Sequence, residues 1–291
     1  FVSTSKSITM NLSISRKLRL PLRIVLWHCP DALLEIKFEN VPNMENKEIV
    51  IQAQGLTKRF GDFIATNAIT FDVYKGEIFG FLGANGAGKT TAMKILIGIS
   101  KPSGGEAKVA GFDVYSQTED IKKNIGYMSQ KFSLYEDLTI RENIRFFGGI
   151  YGLDRKTIKE KTDILLKTLG FESEADKLVS SLPLGWRQKL SFSIAILHNP
   201  KIVFLDEPTG GVDPVTRRQF WDLIYEASNR GVTIFVTTHY MDEAEYCNRV
   251  SIMVDGKIEA LDTPKNLKKQ FQANSMDEVF HQLARKAKRS E

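Results

Sequence analysis

Residues Gly83-Ala84-Asn85-Gly86-Ala87-Gly88-Lys89-Thr90-Thr91 constrain this chain more than any other stretch. They match the phosphate-binding loop pattern G-x-x-x-x-G-K-[ST]. Ile78, Phe79, Phe81 and Leu82 precede them as a strand-like run, and Ala92, Met93, Ile95, Leu96 and Ile97 follow as a helix-like run. A strand, a glycine-rich loop and a helix in that order is the context the pattern needs. Glycines let backbone N–H groups turn toward phosphate oxygens, and the start of a helix adds partial positive charge. In such a loop Lys89 reaches the β- and γ-phosphates, and the Thr90 hydroxyl is a Mg²⁺ ligand. A glycine-rich turn that happens to contain Lys-Thr is the plain alternative, and both flanks argue against it.

The rest of the chain predicts an α/β protein. Residues 49–82 alternate short apolar runs with turn residues, as strands do, and residues 106–128 read the same way. Lys101-Pro102-Ser103-Gly104-Gly105 is expected to end the helix after the loop. From 138 to 182 the period becomes helical. Thr139 and Glu142 fit a capping box, and Ile140, Ile144, Phe147 and Tyr151 share one face. A second helix runs through Ile158, Leu165, Leu166 and Leu169 to Gly170, and a third spans 186–198 before Asn199-Pro200. Ile202–Leu205 and Val232–Val236 are continuous apolar runs suited to strands buried on both faces. The helical pattern at 215–229 lies between them, so they form a βαβ unit in a parallel sheet. Val250–Val254 and Lys257–Leu261 read as a hairpin across Asp255-Gly256. The tail at 277–291 reads as an amphipathic helix with a basic end, expected in solvent, with lipid contact as the alternative.

Charge separates the first segment from the rest. Residues 1–43 hold six Lys/Arg against three Asp/Glu and so carry +3 of the net +5. The remainder is close to neutral and gives no general case for nucleic-acid binding. Met44 precedes the regular pattern, so the domain is expected to start near it. Residues 1–43 would then be an upstream extension, disordered or not native, with a basic arm as the alternative. Cys29 and Cys247 lie far apart, which argues for a reducing compartment and against a disulfide framework or a Cys-type zinc site. No apolar run reaches the roughly 20 residues of a membrane helix.

A second set of chemical residues follows the buried strands. Ile202-Val203-Phe204-Leu205-Asp206-Glu207 ends in two acids. The carboxyl end of a parallel strand faces the ligand crevice of such sheets. Asp206 is placed to hold Mg²⁺, and Glu207 to orient or deprotonate an attacking water. A solvated Asp-Glu turn is the structural alternative. His239 ends Val236-Thr237-Thr238-His239 and should point into the same crevice, toward a γ-phosphate or the water. Gln130 follows the strand-like Ile125–Met128 and is a candidate metal ligand that also reports to the helical segment. Phe60 is either a base-stacking ring or a core residue.

Together these pieces resemble the nucleotide-binding domain of ABC transporters, from residue 49 to about 265. The motifs are the phosphate loop, Gln130, Leu205-Asp206-Glu207-Pro208-Thr209, Gly211-Val212-Asp213 and His239. Thr238-His239-Tyr240-Met241-Asp242-Glu243-Ala244-Glu245 is similar to the ATPase subunits of bacterial ABC-2-type exporters of drugs or polysaccharides. The resemblance implies a P-loop NTPase (RecA-like) α/β core with a mixed sheet, an antiparallel β subdomain and an inserted α-helical subdomain. The domain would span 44–270, with the insertion at about 131–190 and a helical tail at 271–291. It further implies ATP hydrolysis with Mg²⁺ and a dimer of two such domains, identical or not, that sandwiches two ATP molecules. Separate membrane permease subunits would hold it peripherally on the cytoplasmic face of the inner membrane. Asp213 would take the family's D-loop position.

One element departs from the family. Its usual signature, Leu-Ser-Gly-Gly-Gln, faces the ATP of the partner domain. Here the aligned stretch is Leu182-Pro183-Leu184-Gly185-Trp186. Pro183 lacks both the hydroxyl and an N–H, and only Gly185 keeps the backbone freedom, so the site that this stretch faces is expected to be weakened. A non-transport ABC ATPase and a low-turnover nucleotide sensor are the rival readings. The Asn-Lys-x-Asp pattern of guanine selection is absent from the sequence.

Overall fold

The computed structural model describes residues 48–130 and 134–289, with the backbone alone for 286–289. The expected upstream segment at 1–43 lies outside the described residues. Ten strands and eight α-helices follow in chain order among the described residues: β1 (Ile49–Phe60), β2 (Phe63–Tyr74), β3 (Ile78–Gly83), α1 (Lys89–Leu96), β4 (Gly104–Val109), β5 (Phe112–Asp113), α2 (Thr118–Asn124), β6 (Ile125–Met128), α3 (Ile140–Ile150), α4 (Arg155–Leu169), α5 (Leu184–Ala195), β7 (Ile202–Asp206), α6 (Pro214–Asn229), β8 (Thr233–Thr238), β9 (Arg249–Val254), β10 (Lys257–Asp262), α7 (Pro264–Gln270) and α8 (Met276–Arg289).

The strands form two sheets, ordered β2-β1-β4-β5 and β10-β9-β3-β8-β7-β6. The first is antiparallel. The second is parallel from β9 to β6, and β10 pairs antiparallel to β9. Successive side chains of a strand point to opposite faces, and the second sheet is buried on both. Phe79, Phe81, Ile202, Phe204 and Phe235 belong to one core cluster. Their neighbours Ile78, Leu82, Val203, Leu205, Ile234 and Val236 belong to another. Phe71 of β2 meets Phe79, Phe81 and Phe235 with ring centroids 5.4–6.2 Å apart, so an aromatic layer joins the two sheets.

The helical stretch has its own core of Ile140, Ile144, Leu165, Leu166, Phe171, Val179, Leu182, Leu190 and Ile194. Thr139 and Glu142 form the reciprocal capping box that starts α3, and Gly170 closes α4 in the left-handed conformation.

Four local expectations are corrected. Residues 106–128 are not all strand, because α2 occupies Thr118–Asn124. It buries one apolar residue, Ile121, too few for a visible period. Its acids Glu119 and Asp120 and its bases Lys122 and Lys123 complement the helix dipole instead. The helix after the phosphate loop ends at Leu96, before Lys101–Gly105, and Gly98 supplies the left-handed turn (φ 72°) beyond its cap. The helix expected over 186–198 covers Leu184–Ala195. The tail is not simply in solvent: Met276, Val279 and Leu283 of α8, spaced as one helical stripe, are buried in the main core. Among the described residues no helix is long and apolar enough to cross a membrane.

Candidate active site

The phosphate loop leaves the carboxyl end of β3. Gly88 adopts φ 101°, and a Cβ there would stand 2.1 Å from the Ala65 carbonyl oxygen, so only glycine fits. Gly86 is also left-handed, at φ 85°. Helix α1 starts at Lys89 with no side-chain cap and no acid in its first turn. Its N-terminal N–H groups are therefore left to an external anion.

Lys89 is 4% exposed. Its Nζ donates to the carbonyls of Gly83 (2.8 Å) and Ala84 (3.1 Å) and lies 3.6 Å from Glu207 Oε1. Burial pulls the ammonium below its ordinary pKa, and the Glu207 and Asp206 carboxylates oppose that shift. Asp206 is 3% exposed at the end of β7. Its Oδ1 accepts from Thr237 Oγ1 at 2.7 Å and from Thr90 Oγ1 at 3.2 Å. Burial, and then the Asp206 charge, push the nearby Tyr127 phenol up to about 12.

Glu207 turns out of β7 with φ 49°, a left-handed conformation that a glutamate rarely adopts. Its N–H donates to Thr237 O at 3.1 Å and Thr237 Oγ1 at 3.2 Å. Gln130 Nε2 donates to Glu207 Oε2 at 2.9 Å. His239 Nδ1 lies 3.2 Å from the same oxygen, without the alignment of a hydrogen bond.

Lys89, Thr90, Gln130, Asp206, Glu207 and His239 thus converge where β3, β6, β7 and β8 end. The remaining candidates lie outside that hydrogen-bonded cluster. Phe60 is 56% exposed at the β1–β2 turn, with Lys58 Nζ 5.1 Å from its ring centroid. Leu182 is buried, Pro183 stands at the cap position of α5 without a side-chain cap, and Trp186 stacks on Phe171 at 4.5 Å. Leu184 and Gly185 pack toward the start of α6: a Cβ on Gly185 would meet Thr216 Cγ2 at 2.3 Å, and one on Gly211 would meet Leu184 Cδ2 at 3.5 Å. Asp213 caps α6 through the N–H groups of Val215 and Thr216. Ala84, Asn85, Ala87 and Thr91 complete the loop and the first turn of α1.

Two features were not singled out from the sequence. One is Thr237, whose fully buried hydroxyl donates to the Asp206 carboxylate and accepts from the Glu207 N–H. The other is Glu243, 0% exposed, which accepts from Thr209 Oγ1 at 2.5 Å with Arg217 Nε 3.7 Å away. A polar residue closing the apolar run Ile234–Val236 is the signal for Thr237, whereas Glu243 sits among the acids Asp242 and Glu245 and only the packing singles it out.

A family model described as ABC transporter matches residues 66–210. The chain is 47% identical over 241 residues to the probable multidrug ABC transporter ATP-binding protein YbhF of Escherichia coli (strain K12), across 81% of this chain and 42% of that one. It thus spans about two fifths of that relative's length. It is 36% identical to the Nod factor export ATP-binding protein I of Rhizobium sp. (strain N33), across 80% of this chain and 77% of that one. A solved ATP-binding subunit of an ABC transporter superposes with a TM-score of 0.73 at 26% identity, covering 80% of this chain and 99% of the other.

Proposed function

The chain belongs to the ABC transporter family of ATP-binding proteins, and from that premise we propose that it binds ATP and hydrolyses it to ADP and phosphate to power export through separate membrane permease subunits. The observation that carries this reading is the convergence of Lys89, Thr90 and Asp206 with Glu207 and Gln130 at the ends of four strands. Lys89, now bonded to two loop carbonyls, would turn its charge to the β- and γ-phosphates, and the first N–H groups of α1 would add theirs.

The residues present suit Mg²⁺. Thr90 Oγ1, Asp206 and Gln130 Oε1 offer only oxygen donors, as a hard cation requires. Oδ2 of Asp206 makes no hydrogen bond among the described residues, and Gln130 uses its nitrogen on Glu207, which leaves Oε1 free to ligate. Bound there, Mg²⁺ would neutralise charge developing on the phosphates. Glu207 would orient the attacking water and take its proton, Gln130 would hold that carboxylate, and His239 would contact the γ-phosphate or the water.

The same reading assigns the stretch 182–186 to the ATP of a second ABC domain, identical or not, with Asp213 beside it. The packing of Leu184 and Gly185 against Gly211 and Thr216 supports treating the two as one surface. The helical segment from α3 to α5 would carry the cycle to the permease. The protein would then sit peripherally on the cytoplasmic face of the membrane, with the base of ATP against Phe60. The relatives' names support multidrug or Nod-factor-like export as the class of cargo.

The test is phosphate release from MgATP by the purified protein beside Glu207→Gln. The variant should keep fluorescent-ATP binding and lose turnover by about 10²–10⁴-fold. Binding without release by the wild type would leave a nucleotide sensor, and equal release by both proteins would remove Glu207 from the base role.

A further inference from the structure

Among the described residues one hydroxyl bonds both the Asp206 carboxylate and the backbone N–H of Glu207. Thr237 is the register partner of Asp206 across the parallel β7–β8 pair. The two residues share the face of the sheet that carries Phe204 and Phe235. Thr237 is fully buried, so its hydroxyl has no water to fall back on. It has one proton, and that proton goes to Asp206 Oδ1 at 2.7 Å. A lone pair of the same oxygen faces the Glu207 N–H at 3.2 Å. Thr238 beside it does something different, accepting locally from the Tyr240 N–H at 3.0 Å.

We propose that Thr237 is a positioning residue for both carboxylates: its hydroxyl selects which oxygen of Asp206 is presented to the metal and anchors the strained peptide from which Glu207 projects. The inference rests on the ATPase reading above. Asp206 Oδ1 now accepts from two hydroxyls, Thr90 and Thr237. With Thr90 Oγ1 given to a bound metal, Thr237 would remain as the donor that keeps Oδ1 turned inward and Oδ2 outward. On the other side, Glu207 at φ 49° is held by the N–H that Thr237 receives through both Oγ1 and its own carbonyl. Removing the hydroxyl frees the Asp206 carboxylate to rotate and leaves one of the two Glu207 contacts.

The test compares wild type, Thr237→Val and Thr237→Ser. Valine keeps the shape and cannot donate, whereas serine keeps the hydroxyl. We expect valine to lower kcat by about tenfold, to raise the Mg²⁺ concentration for half-maximal activity several-fold, and to leave KM for ATP nearly unchanged. Serine should restore both quantities to within about twofold of wild type. Wild-type kcat and Mg²⁺ dependence in the valine variant would overturn the proposal. So would a lower melting temperature with both quantities unchanged, which is what a merely structural hydroxyl predicts. If valine prevents folding, Thr237→Cys takes its place, with the same shifts expected in smaller degree. A wild type that hydrolyses nothing would defeat the ATPase reading instead. The Mg²⁺ dependence of fluorescent-ATP binding would then decide the Thr237 inference: a several-fold shift in the valine variant supports it and no shift overturns it.

Discussion

Gln130 Nε2 donates to Oε2 of Glu207 at 2.9 Å across 77 positions of sequence, while Lys89 Nζ stands 3.6 Å from the other oxygen of that carboxylate. The acid is therefore shared between an amide at the edge of the helical segment and the phosphate-loop cation. On the proposed reading an ATP phosphate would compete for Lys89 and leave Gln130 as the principal holder of Glu207. Gln130→Ala should lower ATP turnover by about tenfold, the scale of a hydrogen bond to a charged group. Phosphate release and fluorescent-ATP titration on the same preparation, both at saturating Mg²⁺, separate this from a loss of binding.

Pro183 stands at the cap of α5 and offers no side-chain acceptor to the first N–H groups of that helix. Pro183→Ser supplies one, and a serine cap is worth roughly 1 kcal/mol. The variant should melt a few degrees higher. It should also raise ATP turnover if the 182–186 stretch meets a partner's nucleotide. A rise in melting temperature with unchanged turnover at saturating protein would separate the helix cap from the proposed partner site.

Arg249 and Glu77 are both buried and meet through two hydrogen bonds, at 2.9 and 3.2 Å. The guanidinium also donates to the Asp72 carbonyl and lies over the rings of Tyr74 and Phe79. This pair joins the start of β9 to the turn before β3, the Asp72 contact adds β2, and together they support the strand that feeds the phosphate loop. Arg249→Met alone should destabilise by about 3–5 kcal/mol, because Glu77 is left buried without its counter-charge, with only the Tyr74 N–H on its carboxylate among the described residues. Arg249→Met with Glu77→Leu should recover most of that loss in a urea melt. A double variant no better than the single one would place the cost in the lost packing over Tyr74 and Phe79.

His198 links α5 to the main sheet, its Nε2 3.0 Å from the Ile125 carbonyl and its ring stacked on Tyr151 at 3.9 Å. Burial lowers its pKa from 6.5. The unfolded chain therefore takes up a proton near pH 6.5 that the folded chain still refuses. Stability is fully present above pH 6.5 and falls as the pH drops from there toward the folded-state pKa. His198→Gln keeps a donor for Ile125 and should flatten that part of the stability curve. An equal slope in chemical melts between pH 7 and 5.5 would assign the loss to other groups.

The local chemistry was readable because it depends on spacing alone. Gly88 and Lys89 announce the phosphate loop, Thr139 and Glu142 announce the start of α3, and Asp206-Glu207 closes an unbroken apolar strand. The hairpin of β9 and β10 was legible from Asp255-Gly256 for the same reason. Helix α2 was not, because its seven residues bury a single apolar side chain and show no period. The amphipathic stripe of α8 was visible, but the sequence does not say what covers it, and the core against β9 does.

Residue order thus determined which groups the site has available and which strand or helix carries each. Register decided how they act on one another. Asp206 and Thr237 become neighbours only when β7 and β8 pair in parallel with those two residues side by side. Gln130 reaches Glu207 only because β6 lies against β7. A slip of one residue in either pairing would turn every side chain of the strand to the opposite face. What holds the register is burial of both faces of the sheet, a property of the packed molecule that no local run of residues contains. The phosphate loop needed nine consecutive residues. The site around it needed the ends of four strands, brought together by a core of phenylalanines spread from Phe71 to Phe235.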